Sequence, residues 1–69
     1  MKKKILTDRE QEVFELLIKN KSTFEIAKKW TMPIRNVRNH ISNAIQKLGV
    51  CGRSQAIIEL IKLGELHIN

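Results

Sequence analysis

The segment from Pro33 to Gly49 carries polar side chains of a restricted kind, namely Arg, Asn, Ser, Gln, His and Lys, and no acidic residue. The acid-free stretch is longer, from Ile26 to Ile58, and all seven acidic residues lie outside it. Arg and Asn side chains can hydrogen-bond base edges, whereas Lys and hydroxyl side chains bind phosphates. The chemistry that this segment offers is therefore recognition of a nucleic acid.

The overall charge points in the same direction. A net charge of +6 on 69 residues implies an anionic partner, either nucleic acid or an anionic membrane. A membrane-surface helix usually combines a Lys-rich face with bulky aromatic residues. Here the polar face is Asn, Arg and Ser, and the aromatic residues are only Phe14, Phe24 and Trp30. Since no apolar run reaches membrane length either, nucleic acid is favoured and a membrane partner is not expected.

Length and composition predict a single domain over residues 1–69, placed in the cytoplasm. The basic start from Met1 to Lys4 is not followed by the apolar segment of a signal peptide. The single Cys51 cannot form an internal disulfide and has no neighbours at metal-ligand spacing. Neither His40 nor His67 has a paired nucleophile or carboxylate cluster. We therefore expect no enzyme activity, no metal and no cofactor.

Four helices and no strand are predicted to position these side chains. Capping boxes open the first two helices, at Thr7 with Glu10 and at Ser22 with Glu25. Pro33 separates the second helix from the third, because the residue before a proline is held extended. The expected helices span about residues 8–20, 23–31, 34–48 and 53–63.

The residues at the helix ends and one aromatic residue carry further predictions. Asn20 is expected to end the first helix in a left-handed conformation, and Gly49 and Gly64 are expected to end the third and fourth. Trp30 is expected in the core, because it lies on the same side of the second helix as Ile26 and Ala27.

The second and third helices, joined by a short turn, predict a helix-turn-helix. Apolar residues of the third helix recur at spacings of three and four and form its core side: Ile34, Val37, Ile41, Ala44, Ile45 and Leu48. The opposite side should face duplex DNA, with its N-terminal part in the major groove. The predicted base contacts are Arg38, Asn39, Ser42, Arg35 and Asn43. The predicted phosphate contacts are Lys47, Asn36, Ser22, Thr23 and His40. For Arg35, Asn43 and Gln46, both kinds of contact remain open.

The fourth helix is apolar over more than half of its circumference, although covering one side of a small bundle requires only about 100°. The excess predicts burial against a second subunit through Ile57, Ile58 and Ile61. A twofold dimer would place two recognition helices roughly 34 Å apart and would bind a pseudo-palindromic site.

Five short motifs together resemble the LuxR-type DNA-binding domain. They read LTDREQEV at 6–13, EIA at 25–27, VRNH at 37–40, KLGV at 47–50 and RSQA at 53–56. The resemblance covers nearly the whole chain and implies an all-α, four-helix LuxR-type helix-turn-helix domain. It also implies that Arg38, Asn39 and Ser42 face the DNA groove and that Lys47 is the basic residue before the Leu-Gly pair. Departures from the family pattern occur at Pro33, usually Ser, at Asn36, usually Thr, and at Ile34, usually polar.

The likeness is greatest to family members that consist of this domain alone. It implies a sequence-specific transcription regulator of late sporulation genes, including spore-coat genes, acting in the mother cell of a spore-forming bacterium. It also implies a homodimer that cooperates with RNA polymerase. The alternative is a polymerase-interaction module like region four of sigma factors, which also begins with Leu-Thr-x-Arg-Glu. The motif after Lys47 and the fourth helix favour the LuxR type.

Overall fold

The computed structural model describes residues 5–66, and over this range the chain forms four helices and no strand. The prediction of an all-α, four-helix fold is therefore confirmed. The basic residues Lys2 to Lys4, together with His67 and Ile68, lie outside the described residues. The helices are α1 (Asp8–Ile18), α2 (Thr23–Lys29), α3 (Ile34–Leu48) and α4 (Arg53–Lys62).

Both predicted capping boxes form. The Thr7 hydroxyl accepts a hydrogen bond from the Glu10 backbone N–H at 3.2 Å, and Glu10 Oε1 accepts one from the Thr7 N–H at 3.0 Å. Ser22 and Glu25 make the same exchange at the start of α2, with both distances at 3.1 Å. Helix α3 instead begins after Pro33, which has extended backbone angles and no side-chain cap. Two of the helix starts are thus fixed by side chains and the third by the restricted backbone of proline.

The ends of all four helices share one hydrogen-bond pattern, the Schellman motif. A residue with left-handed backbone angles follows each helix, and the next N–H donates back to a carbonyl of the last turn, as Lys21 does to Leu16. Asn20 was expected in this conformation, and Gly49 and Gly64 were expected as helix-ending residues. The left-handed residues are Asn20, Thr31, Gly49 and Gly64, with φ of 70°, 52°, 69° and 75°. Thr31 is unusual among them, because a β-branched residue rarely adopts this conformation.

The core lies between α3 and the other three helices, each of which packs against it. Val37, Ile41 and Ala44 supply the buried side of α3, as the apolar spacing predicted. The remaining core residues come from all parts of the described chain: Leu6, Val13, Phe14, Ile26, Ala27, Ala56, Leu60 and Leu66. Because α3 is held on three sides, its fourth side is presented on a rigid support.

The first and last described turns meet in this core. Leu6, before α1, and Leu66, after α4, are both buried. The Gln11 side chain on α1 donates through Nε2 to the backbone carbonyl of Glu65 at 2.9 Å. The segment around α1 and the turn after α4 are therefore held together by a hydrogen bond and a shared core.

Candidate nucleic-acid interface

The exposed side of α3 carries the polar residues that were predicted to contact DNA. Since Val37, Ile41 and Ala44 point into the core, the intervening positions point outward. His40 is half-buried at the border between the two sides. The exposed positions are Arg35, Asn36, Arg38, Asn39, Ser42, Asn43, Gln46 and Lys47.

Four of these side chains gather around a recess at the N-terminal end of α3. Arg35, Asn36, Arg38 and Asn39 line it together with the Pro33–Ile34 pair. Ser42 and Asn43 lie one turn further along the same helix and do not line this recess. The recess thus combines two guanidinium groups and two amides. A guanidinium group can donate hydrogen bonds to guanine or to a phosphate, and an amide can both donate to and accept from adenine.

Ser22 and Thr23 lie at the start of α2, where they were predicted to anchor a phosphate. The Ser22 hydroxyl oxygen accepts from the Glu25 N–H, so its lone pairs serve the capping box. Its O–H hydrogen remains able to donate to a phosphate oxygen. Thr23 is half-buried. The Glu25 carboxylate lies at the same helix end, so a phosphate there would approach a negative charge.

Lys47 makes a contact that sequence reasoning missed. Its Nζ donates to Glu10 Oε1 at 2.8 Å, which joins the last turn of α3 to the first turn of α1. The Glu10 side chain is only 4% exposed, whereas that of Lys47 is 39% exposed. An ammonium group has three N–H donors, so two remain for other acceptors. The exposed fraction of Lys47 leaves it able to bind a phosphate while it holds Glu10.

The environment of Glu10 favours its ionised form. Burial raises the pKa of this carboxyl, but hydrogen bonds from the Lys47 ammonium and the Thr7 backbone, together with the Lys47 charge, outweigh it. The net result is a pKa below the ordinary value of a glutamate. Glu10 therefore stays charged near neutral pH, and the ion pair remains formed.

A second contact between α1 and the helix-turn-helix was also missed. The Arg9 guanidinium lies over the Trp30 ring, with 4.4 Å between the Arg9 Cζ atom and the ring centroid. Trp30 was expected in the core; it is half-buried and packs against the core edge. The only sequence signal for these two contacts was the presence of Arg9 and Glu10 in the first motif. The spacing of residues along one helix does not show which residues of another helix they contact.

Helix α4 presents both buried and exposed apolar residues. Ala56 and Leu60 are buried, and Ile57 and Ile61 are half-buried against the core. Ile58 points outward and is 53% exposed. The three isoleucines predicted for a dimer contact thus lie on the outer flank of α4, with Ile58 the least covered.

Within residues 5–66, no group of three or more His, Cys, Asp or Glu side chains could hold a metal ion. Cys51 is exposed, and its backbone N–H donates to Gln55 Oε1 at 2.9 Å. None of the described helices has the length and apolar character needed to cross a membrane.

Comparison with known proteins agrees with this geometry. Residues 4–60 match the family described as bacterial regulatory proteins, luxR family. This chain belongs to the LuxR family. It is 59% identical over 66 residues to the spore germination protein GerE of Bacillus subtilis (strain 168), covering 96% of this chain and 89% of that protein. It is also 42% identical over 64 residues to the transcriptional regulatory protein DegU of Brevibacillus brevis, covering 93% of this chain but 27% of that longer protein.

The fold of this LuxR-family chain matches a solved structure described as transcription factor GerE. The TM-score is 0.92 at 54% sequence identity, and the match covers 97% of this chain and 100% of the other. The chain is thus a DNA-binding transcription regulator of the LuxR helix-turn-helix type and not an enzyme. The sigma-region-four alternative is not favoured.

Proposed function

We propose that this LuxR-family regulator reads its site through α3, whose N-terminal part is placed in the major groove of duplex DNA. The observation that carries this proposal is the recess where Arg35, Arg38 and Asn39 converge, all exposed and all at the end of α3 that enters the groove. Arg38, Asn39 and Ser42 read base edges, and Arg35 and Asn43 add further base contacts.

Phosphate contacts flank these base contacts in the proposal. Lys47, Asn36 and His40 lie on α3, and Ser22 and Thr23 lie at the start of α2. Supporting evidence comes from the exposure of Lys47 and Asn36 and from the free hydroxyl hydrogen of Ser22. These groups set the register of the protein on the duplex, whereas the base contacts set its sequence preference.

The proposed functional unit is a homodimer formed through α4, with Ile57, Ile58 and Ile61 at the interface. Support comes from the exposure of Ile58 beside two half-buried isoleucines. Two α3 helices related by a twofold axis would then enter the major groove about one DNA turn, or about 34 Å, apart. We further propose that the DNA-bound dimer contacts RNA polymerase.

The proposed biological role is control of late sporulation genes, including spore-coat genes, in the cytoplasm of the mother cell. The likeness to the spore germination protein GerE over nearly the whole of both chains supports this role.

Selection of bound sequences from a random duplex pool tests the proposal. We expect an enriched pseudo-palindrome whose half-site centres are 10–10.5 base pairs, or a multiple of that distance, apart. Recovery of no preferred sequence would contradict base reading by α3. Recovery of single, unpaired half-sites would contradict the twofold dimer.

A further inference from the structure

The most exposed large apolar side chain among the described residues is Phe24, at 68% exposed. It lies on the outer side of α2, one turn before Lys28 and two turns before Thr31. An open groove of about 460 Å³ runs from this side of α2 to the start of α3. Its lining is mainly apolar, with Phe24, Ala27, Met32, Pro33 and Ile34 as walls. Neither the core nor the contacts proposed above account for the exposed Phe24 side chain.

The groove continues into the recess at the N-terminal end of α3. Pro33 and Ile34 line both, so the two concave surfaces meet along this residue pair. A duplex seated on Arg35 and Asn39 would therefore extend over the Pro33–Ile34 pair towards α2. In a helix-turn-helix, the helix before the recognition helix crosses the sugar–phosphate backbone.

The chemistry of the groove matches that part of the duplex. A deoxyribose ring offers an apolar surface, and each ring is flanked by anionic phosphates. Phe24 and Met32 can cover the ring, and the exposed Lys28 at the rim can neutralise a phosphate. We propose that the α2–α3 groove, with Phe24 as its main apolar contact, seats a deoxyribose of the DNA backbone and that Lys28 binds the adjacent phosphate. This inference rests on the proposed binding of duplex DNA by α3.

An acidic, apolar segment of a partner protein is the competing occupant. It would use the same apolar walls and the same lysine. The continuity of the groove with the α3 recess favours DNA, because a protein segment there would lie where the duplex must pass. The two occupants predict different results for a binding reaction that contains only this chain and DNA. Replacement of Phe24 weakens DNA binding if the groove seats the duplex, and leaves it unchanged if the groove binds a partner protein.

The test compares Phe24→Ala, Phe24→Leu and Lys28→Gln with the unaltered chain, by fluorescence anisotropy over a series of salt concentrations. The probes are the duplex recovered by selection and a scrambled duplex of the same length. We expect Phe24→Ala to weaken binding to both duplexes by the same factor, roughly three- to tenfold, with an unchanged salt slope. Phe24→Leu should restore most of the affinity, because it retains an apolar side chain. Lys28→Gln should flatten the salt slope by about one unit.

Different affinity results would contradict the role of Phe24 and the proposed binding of DNA by α3. Equal affinity of Phe24→Ala and the unaltered chain for both duplexes would overturn the inference and leave the proposed function standing. Weakened binding to the selected duplex alone would also overturn it, because the contact would then read a base. If the unaltered chain binds neither duplex, the proposed function itself fails. Since Phe24 is exposed, the thermal unfolding midpoint should stay unchanged, and this control shows that an affinity loss does not arise from unfolding.

Discussion

Lys47 and Glu10 lie 37 residues apart in sequence and 2.8 Å apart in space, measured from Nζ to Oε1. The same carboxylate oxygen also accepts the Thr7 N–H at 3.0 Å. Glu10 therefore has two structural roles, because it caps α1 and holds the last turn of α3. The far end of the proposed recognition helix is thus fixed to α1 by a charged contact in addition to apolar packing.

Loss of either partner of this ion pair should destabilise the domain. We expect Lys47→Gln to lower the free energy of unfolding by about 1–2 kcal/mol near neutral pH, because it leaves the buried Glu10 carboxylate without its cation. The measurement is urea unfolding followed by circular dichroism. Arg53→Gln, an exposed charge change on α4, serves as the control and should shift stability by less than about 0.5 kcal/mol. An equal effect of both changes would argue against a special role for the pair.

The lowered pKa of Glu10 makes part of this stability dependent on pH. The pKa of the Glu10 carboxyl is lower in the folded state than its ordinary value of 4.5. Such a group stabilises the folded state fully at pH values above 4.5, and this stabilisation is lost as the pH falls through the folded-state pKa. The difference in unfolding free energy between the unaltered chain and Glu10→Gln should therefore be fully present well above pH 4.5 and should shrink as pH falls below it. Urea titrations across this range provide the check. A difference that stays constant with pH would show that the Glu10 charge does not contribute.

Lys47 should also contribute to the salt dependence of DNA binding. We expect Lys47→Ala to weaken binding to all duplexes alike and to flatten the slope of log affinity against log salt by about one unit. Glu10→Gln is the matched control, because it breaks the ion pair but keeps the Lys47 charge. If both variants leave the slope unaltered, Lys47 serves only to hold Glu10.

Arg38 should govern base preference. Arg38→Ala removes a guanidinium from the α3 recess, and we expect specific binding to weaken by roughly 1–3 kcal/mol with relaxed preference at one position of each half-site. Anisotropy with a set of single-base variants of the selected duplex measures this change. A uniform loss over every duplex would instead identify Arg38 as a phosphate contact.

Ile58 should contribute to self-association. Its side chain is 53% exposed in the single chain, and Ile58→Ser would replace an apolar contact on both subunits of a twofold dimer. We expect the dimer dissociation constant to rise roughly tenfold or more, with little change in helix content. Sedimentation equilibrium gives the constant. A monomer at high micromolar concentration for the unaltered chain would remove the basis of this prediction.

The turn between α2 and α3 should be open to stabilisation. Thr31 has a φ of 52°, where a β-branched side chain is strained, whereas the other three helices end on Asn or Gly. Thr31→Gly should raise the free energy of unfolding by about 0.5–1 kcal/mol. This net value is the relief of backbone strain minus the cost of the greater conformational entropy that glycine gives the unfolded chain. Gly49→Ala is the reverse control and should lower it by about 1 kcal/mol, since an added Cβ there meets no atom within 4 Å and only the backbone is strained. Thermal and urea unfolding measure both.

Local sequence signals predicted most of the fold. The capping boxes at Thr7 and Ser22, the apolar spacing of α3 and the turn residues Asn20 and Gly49 each depend on neighbours within a few positions. The predicted α1 extended to residue 20, but the helix ends at Ile18 because Asn20 is already left-handed. Periodicity also divided α3 correctly into a core side and an exposed side.

Contacts between helices were less accessible to sequence reasoning. The Glu10–Lys47 and Arg9–Trp30 contacts depend on how α1 packs against the later helices, and spacing within one helix contains no such information. The strained Thr31 was missed for a related reason, because a threonine gives no local signal for a left-handed turn. The groove beside Phe24 arises only when α2 and the start of α3 come together.

The contact between the first and last described turns has a consequence for how the domain opens. Leu6 and Leu66 share the core, and Gln11 is bonded to the Glu65 carbonyl, so release of one end removes packing from the other. Opening of the turn that holds Leu6 therefore removes support from the turn that holds Leu66, and the reverse also holds. We therefore expect amide hydrogen exchange in the first turn of α1 and in the turn after α4 to rise together when the Gln11–Glu65 contact is broken.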